Sequence, residues 1–369
     1  MNKAVPLLFV LVFAFALPVF AAEAPPSADL EARRKALNDL LHEQWEYILR
    51  IDPIFASIIG DKRYNDQVGD SSEKAMLAEL EESRKFLARF EAVDTTGFPE
   101  QDALNKELMV RDLRQDLDGA RFKNWRMPVN QFFGIHIDAP QITALLSFST
   151  VKDYDDYVKR LRQFPKVFDD VIDNMRAGMG DGLMPPKFLL EKVAKQSAGI
   201  AAMEPEKSPF AGCLSKLPAS FPAAEQERIK KDVLAAVRDH VIPAYQKFTK
   251  FVAEEYAPKG RTEVGVWSLP EGEARYAFRV KQMTTTSKAP EEIHQLGLQQ
   301  VAEIEKQMLV IARKLGYKDL KSFNAAIEKN QDLRPKSRQE IVDLYQKYTD
   351  FMYPHISKLF GRLPKASME

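Results

Sequence analysis

The chain has 369 residues with 53 basic and 53 acidic side chains, so its balanced charge gives no electrostatic case for nucleic acid or an anionic membrane surface. A hydrophobic fraction of 45% excludes a disordered chain and predicts a substantial core. Cys213 is the only cysteine, which excludes an internal disulfide and a thiolate metal cluster.

The first stretch, "MNKAVPLLFVLVFAFALPVFAAEAPP", has a positive start at Lys3, an apolar run to Phe20, and small residues beyond. Residues 1–21 therefore read as a secretory signal peptide cleaved after Ala21. No cysteine follows the run, which argues against a lipid anchor, and no second apolar stretch of spanning length occurs. The compartment reads as periplasmic or secreted, without stable membrane insertion once the signal is removed. Residues 22–369 are expected to form one helical domain.

Helical periodicity dominates from there. Leu30, Leu37, Leu41 and Ile48 share a stripe, as do Met76, Leu80, Leu87 and Phe90, then Leu104, Leu108, Leu113 and Leu117. Thr150-Val-Lys-Asp153 is a capping box opening a helix, and a further helix follows Pro165. Gly178, Gly180 and Gly182, with Pro185 and Pro186, end it; they lack the strand–turn–helix setting of a nucleotide loop. A helix over about 187–202 leads to a Pro-rich surface connection at about 203–226. The next helix, about 224–256, contains Pro243, which removes the bond to the carbonyl of Asp239 and predicts a kink. Residues 261–286 are least helical, and "ARYAFRVKQMTTT" is expected to supply one or two short strands. Pro290 opens a long helix with its stripe on Ile293, Val301, Ile304, Met308, Ile311 and Leu315, ended by Gly316. A last helix, about 335–360, should bend near Pro354. The class is mainly α with minor short β elements.

Phosphate-loop and nucleophile-elbow signatures are absent from the sequence. None of the five histidines, His42, His136, His240, His294 and His355, begins a His-Glu-x-x-His pattern for zinc. His136 follows Gly134 in an aromatic-rich loop, "NQFFGIHID", and can line a pocket or serve the core. His294 lies at the start of a helix, where the positive dipole end disfavours imidazolium and leaves a neutral ring able to donate or accept. With Thr284, Thr285 and Thr286 just before it and Tyr276 upstream, it can bind a peptide backbone or a carboxylate. The plainer alternative is that His294 caps the preceding loop.

In order along the chain, "DPIFASIIGDKRYNDQ" from Asp52, "NQFFGIHID" from Asn130, "DYDDYVKRLRQFP" from Asp153 and "MRAGMGDGLMPPKFLLEKVAKQ" from Met175 resemble one bacterial family. The run "LPEGEARYAF" from Leu269, continuing to "TTTSKAPEEIHQLGLQQ", is the most specific part of the likeness. The family is known as domain of unknown function 885 and is grouped with His-Glu-x-x-His zinc peptidases. The resemblance implies a helical, metallopeptidase-like hydrolase of peptide or small amide bonds. In it two histidines and a downstream glutamate hold one zinc, and the signature glutamate acts as base. That signature is not in this chain, so no family catalytic residue can be placed and no cofactor is expected here. The chain is then expected to be the family's N-terminal part, truncated before the metal site, with Tyr276, Thr284, Thr285, His294 and His136 as substrate-side candidates. The rival expectation is a non-catalytic periplasmic binding or scaffold protein using a helical groove.

Overall fold

A computed structural model describes residues 28–365. The expected signal peptide and its cleavage site lie outside those residues. The chain divides into two compact units, one running to Thr284 and the other from Thr285.

In the first unit, α1 (Ala28–Ile51) packs with α3 (Glu73–Glu91) and α4 (Glu100–Ala120) around Leu37, Leu40, Phe86, Phe90, Val110 and Leu113. A short helix α2 (Pro53–Ile58) follows α1, with Asp52 accepting from the Phe55 N–H as its N-cap. A larger core lies among α5 (Ile135–Leu145), α6 (Val151–Leu161), α7 (Phe164–Gly180), α8 (Lys187–Ala201), α9 (Ala223–Ala236) and α10 (Ile242–Phe251). Its centre is aromatic: Phe168 lies 4.8 Å from Tyr245 and 5.4 Å from Phe248, ring centre to ring centre.

Local signals in the sequence account for several boundaries. Thr150 accepts from the Asp153 N–H and Asp153 returns the contact to the Thr150 N–H at 2.8 Å, so α6 opens on the expected capping box. Helix α7 ends as Gly182 takes φ +72° while the Leu183 N–H reaches the Gly178 carbonyl at 2.8 Å. Only a residue without a Cβ adopts that left-handed turn at little cost. Gly178 is needed for another reason: a Cβ there would sit 2.0 Å from the Arg126 carbonyl oxygen.

Arg160 ties α2 and the chain after it to α6. Its guanidinium is 2% exposed and donates to Ser57 Oγ, to the carbonyls of Tyr64 and Gln67, and at 3.3 Å to that of Pro53. No carboxylate among the described residues pairs with it, and burial lowers its pKa to about 10.

Four segments take forms that differ from the expectation. The strand expected within 274–286 is helix: α11 spans Gly272–Thr284. Tyr276, Phe278 and Val280 alternate as a strand would, but Arg275, Phe278, Arg279 and Gln282 fall at helical spacing and face one cleft. The one β contact among the described residues is an isolated bridge between Pro186 and Arg261. The aromatic stretch expected as a loop begins α5 at Ile135, because Asp138 in the first turn accepts from the Gly134 N–H at 3.0 Å. At Pro243 the chain makes a five-residue π-turn, Val237–Val241, whose wider register absorbs the missing donor. The segment 203–226 forms two 3₁₀ stretches, Pro205–Lys207 and Pro209–Lys216, and buries Phe210, Ala211 and Cys213.

The second unit carries α12 (Pro290–Lys314), α13 (Leu320–Lys329) and α14 (Arg338–Met352), the last giving way to a 3₁₀ stretch at Tyr353–Lys358 that contains Pro354 in its first turn. Ala312 is the sole buried residue of these three helices. Ile304 is 52% exposed and Phe351 64%, and Val301, Ile311, Ile341 and Tyr348 are exposed with them. These helices therefore show wide apolar faces to solvent.

Candidate functional site

A cleft of about 560 Å³ opens in the first unit, within the size range of small-molecule and peptide side-chain pockets. Four pieces of chain line it: Leu80 of α3, the end of α4, residues 122–133, and α11 with the segment before it. Each piece is held from behind. Asn130 accepts from the N–H groups of Phe132 and Phe133 at 2.7 and 3.1 Å, an Asx turn that presents Phe133. The Trp125 indole donates to Glu73, which also receives Arg126 at 2.6 Å. Arg261 donates to the carbonyls of Met184 and Gly265 and to Ser268, fixing the wall that carries Val266 and Leu269.

Arg275 joins these pieces. Its guanidinium donates to the Pro270 carbonyl at 2.8 Å, the Asn124 side-chain oxygen at 2.9 Å and the Phe122 carbonyl at 2.6 Å. It also lies 5.0 Å from the Phe122 ring centre, with Arg121 at 4.9 Å from the same ring. Burial lowers the Arg275 pKa, partly offset by Glu271. Phe278 tilts against Phe122 at 5.4 Å, so the floor of the cleft is aromatic. Arg279 and Gln282 follow on the same face of α11, with Arg279 donating to Gln282 at 2.6 Å, and Gln115 and Asp116 supply the α4 side.

The residues singled out from sequence are distributed differently. Tyr276 shares α11 but lies outside the cleft lining and is 51% exposed. Thr284 ends that helix, its hydroxyl donating to the Val280 carbonyl at 2.8 Å. Thr285, at φ +54°, and His294, exposed in the first turns of α12, belong to the second unit. His136 is 2% exposed, stacks on Phe248 at 5.9 Å and pairs through Nε2 with Gln196 at 3.3 Å. Burial lowers its pKa, and its Nδ1 has no hydrogen-bond partner among the described residues. The cleft residues Phe122, Trp125, Phe133, Arg275, Phe278 and Arg279 were not singled out. The available signal was the i, i+3, i+4, i+7 spacing of Arg275, Phe278, Arg279 and Gln282.

A second cavity of about 440 Å³ lies among α1, α3, α5 and α7, apolar apart from Asp52, Asp70, Ser71 and Glu79. Burial raises the Glu79 carboxyl above the ordinary range, and Asp70 and Asp52 raise it further. The zinc implied by the resemblance finds no seat in either place. Among the described residues no group of three or more His, Cys, Asp or Glu is disposed to hold a metal ion.

The family model described as "Bacterial protein of unknown function (DUF885)" matches residues 53–369. Comparison with curated proteins finds no match. Among solved structures, the chain is similar to a crystal structure of a protein from Colwellia psychrerythraea described as a candidate lipoprotein. The TM-score is 0.79 at 20% identity, over 91% of this chain and 61% of that one. That likeness speaks to the fold, and the chain spans about three-fifths of the neighbour's length. No helix among the described residues is long and apolar enough to cross a membrane.

Proposed function

Because the chain belongs to the bacterial DUF885 family, we propose that it is the N-terminal, substrate-side portion of an exported, zinc-dependent hydrolase of peptide or amide bonds. The observation that carries this reading is the convergence of two stretches, 130–134 and 266–282, on one aromatic cleft with a guanidinium at its edge. Both stretches also carry the family resemblance. The cleft's own residues bind and orient: aromatic rings take an apolar side chain out of water, and polar groups at the rim fix the backbone. When bound in the intact protein, zinc would supply the activated water, through ligands other than those described here. The apolar faces of α12 and α14 support the reading of a part that a further segment covers.

The test is to read the coding sequence past codon 369 and to assay the chain with zinc and a peptide mixture. An in-frame His-Glu-x-x-His, with peptide binding but no cleavage by the chain alone, is the expected result. A stop directly after that codon in the native gene would overturn the N-terminal reading. It would favour a second one, a non-catalytic periplasmic binding or scaffold protein. One observation favours that alternative: every residue lining the cleft comes from the first unit, so binding needs nothing else.

A further inference from the structure

We propose that the cleft receives the carboxylate end of a peptide whose last side chain is aromatic or large and aliphatic, with Arg279 holding the carboxylate. The inference deepens the reading above and rests on it for the peptidic nature of the ligand.

The aromatic part of the argument is the lining. Phe122, Trp125, Phe133 and Phe278 offer ring surface to a ligand, and a volume of about 560 Å³ accommodates one bulky side chain with its backbone. The carboxylate part is the state of the arginines. Around the cleft, Arg121 pairs with Glu271, Arg126 with Glu73 and Asp181, and Arg114 with Glu91. Arg279 differs. Among the described residues its hydrogen-bond partner is the neutral amide of Gln282, and no carboxylate pairs with it. Behind it, Arg275 is satisfied by two carbonyls and an amide oxygen, none of which cancels its charge. Among the residues lining the cleft, two guanidiniums stand against one carboxyl, that of Asp116, a balance complementary to one anion, while Glu271 outside the lining is engaged by Arg121.

A planar guanidinium with free N–H groups matches a carboxylate through two parallel bonds. Gln282 already orients Arg279 from its own helix face, which reduces the entropy lost when the anion arrives. Asp116 lines the same cleft from α4 and pairs with no cation among the described residues, which leaves its carboxyl for an N–H of the peptide backbone.

The experiment is calorimetric titration of the chain with N-acetyl-Ala-Ala-Phe as the free acid and as its C-terminal amide. The acid is expected to bind about tenfold more tightly, the scale of one charge-assisted contact. Arg279→Gln should bring the acid to the level of the amide by weakening the acid several-fold more than the amide, with an unaltered unfolding midpoint confirming the fold. Phe133→Ala should weaken both ligands alike. Equal affinity of acid and amide for the unmodified chain would overturn the carboxylate assignment while leaving the peptide reading standing. No binding of either ligand would overturn both. An acid preference that survives Arg279→Gln would overturn the role given to Arg279.

Discussion

Two carboxyl groups in the first unit respond to pH with opposite sign. Burial pushes Asp153 up, but the Lys62 ammonium at 2.8 Å and the N–H groups of Ser149 and Thr150 outweigh it and hold the group at about 2. Its folded value lies below its ordinary one of 3.8, so its stabilisation is complete above that pH and is lost as pH falls toward 2. Lys62 is half in solvent, which discounts the contribution to about 1 to 2 kcal/mol. Asp153→Asn should lower neutral-pH stability by that amount and flatten the acid limb below pH 4, as read from urea melts across pH. Glu79 runs the other way. Its raised pKa means that ionisation costs stability as pH climbs through the ordinary carboxylate range, and the cost persists above it. Glu79→Gln should therefore raise the melting temperature at pH 7 and leave it nearly unchanged at pH 4. A loss at pH 7 would show that the carboxylate has a stabilising partner.

Within elements, the end of α7 separates two glycines that look alike in sequence. Gly180 has nothing within 4 Å of a hypothetical Cβ, and Gly178 has the Arg126 carbonyl at 2.0 Å. Gly180→Ala should be neutral or stabilise by up to about 1 kcal/mol through helix propensity and a less free unfolded chain. Gly178→Ala must push the 122–128 segment away, and we expect a loss of about 2 kcal/mol or more in chemical denaturation. Equal effects at the two positions would contradict the close approach. The same pair shows what the sequence does and does not carry. Helix termination was legible from Gly182 and the prolines beyond it, as the start of α6 was from Thr150 and Asp153. The close approach at Gly178 was not, because its partner is a backbone atom some fifty residues away. Helix α11 was misread because its aromatic and β-branched residues alternate, and tertiary anchoring of Arg275 outweighs that local preference. The cleft was hidden for the same reason: Arg275 is held by carbonyl and amide oxygens, which leave no charge pattern to read.

At the scale of the whole molecule, the second unit shows apolar faces on α12 and α14. Ile304 and Phe351 are more than half exposed, so replacing them costs little packing. The double change Ile304→Lys, Phe351→Lys should reduce concentration-dependent self-association in sedimentation runs and move the melting temperature by no more than about 2 °C. A fall of many degrees would mean that these side chains are core. The central claim concerns the first unit: that one cleft, built from residues separated by about 150 positions, is where a peptide binds. A peptide carrying a photoreactive benzoyl-phenylalanine at its free C-terminal end tests it directly. After irradiation and digestion, we expect mass spectrometry to find the cross-link on the segments holding Phe122, Trp125, Phe133 and Phe278. Cross-links confined to α12 and α14, or spread without preference over the surface, would contradict the account.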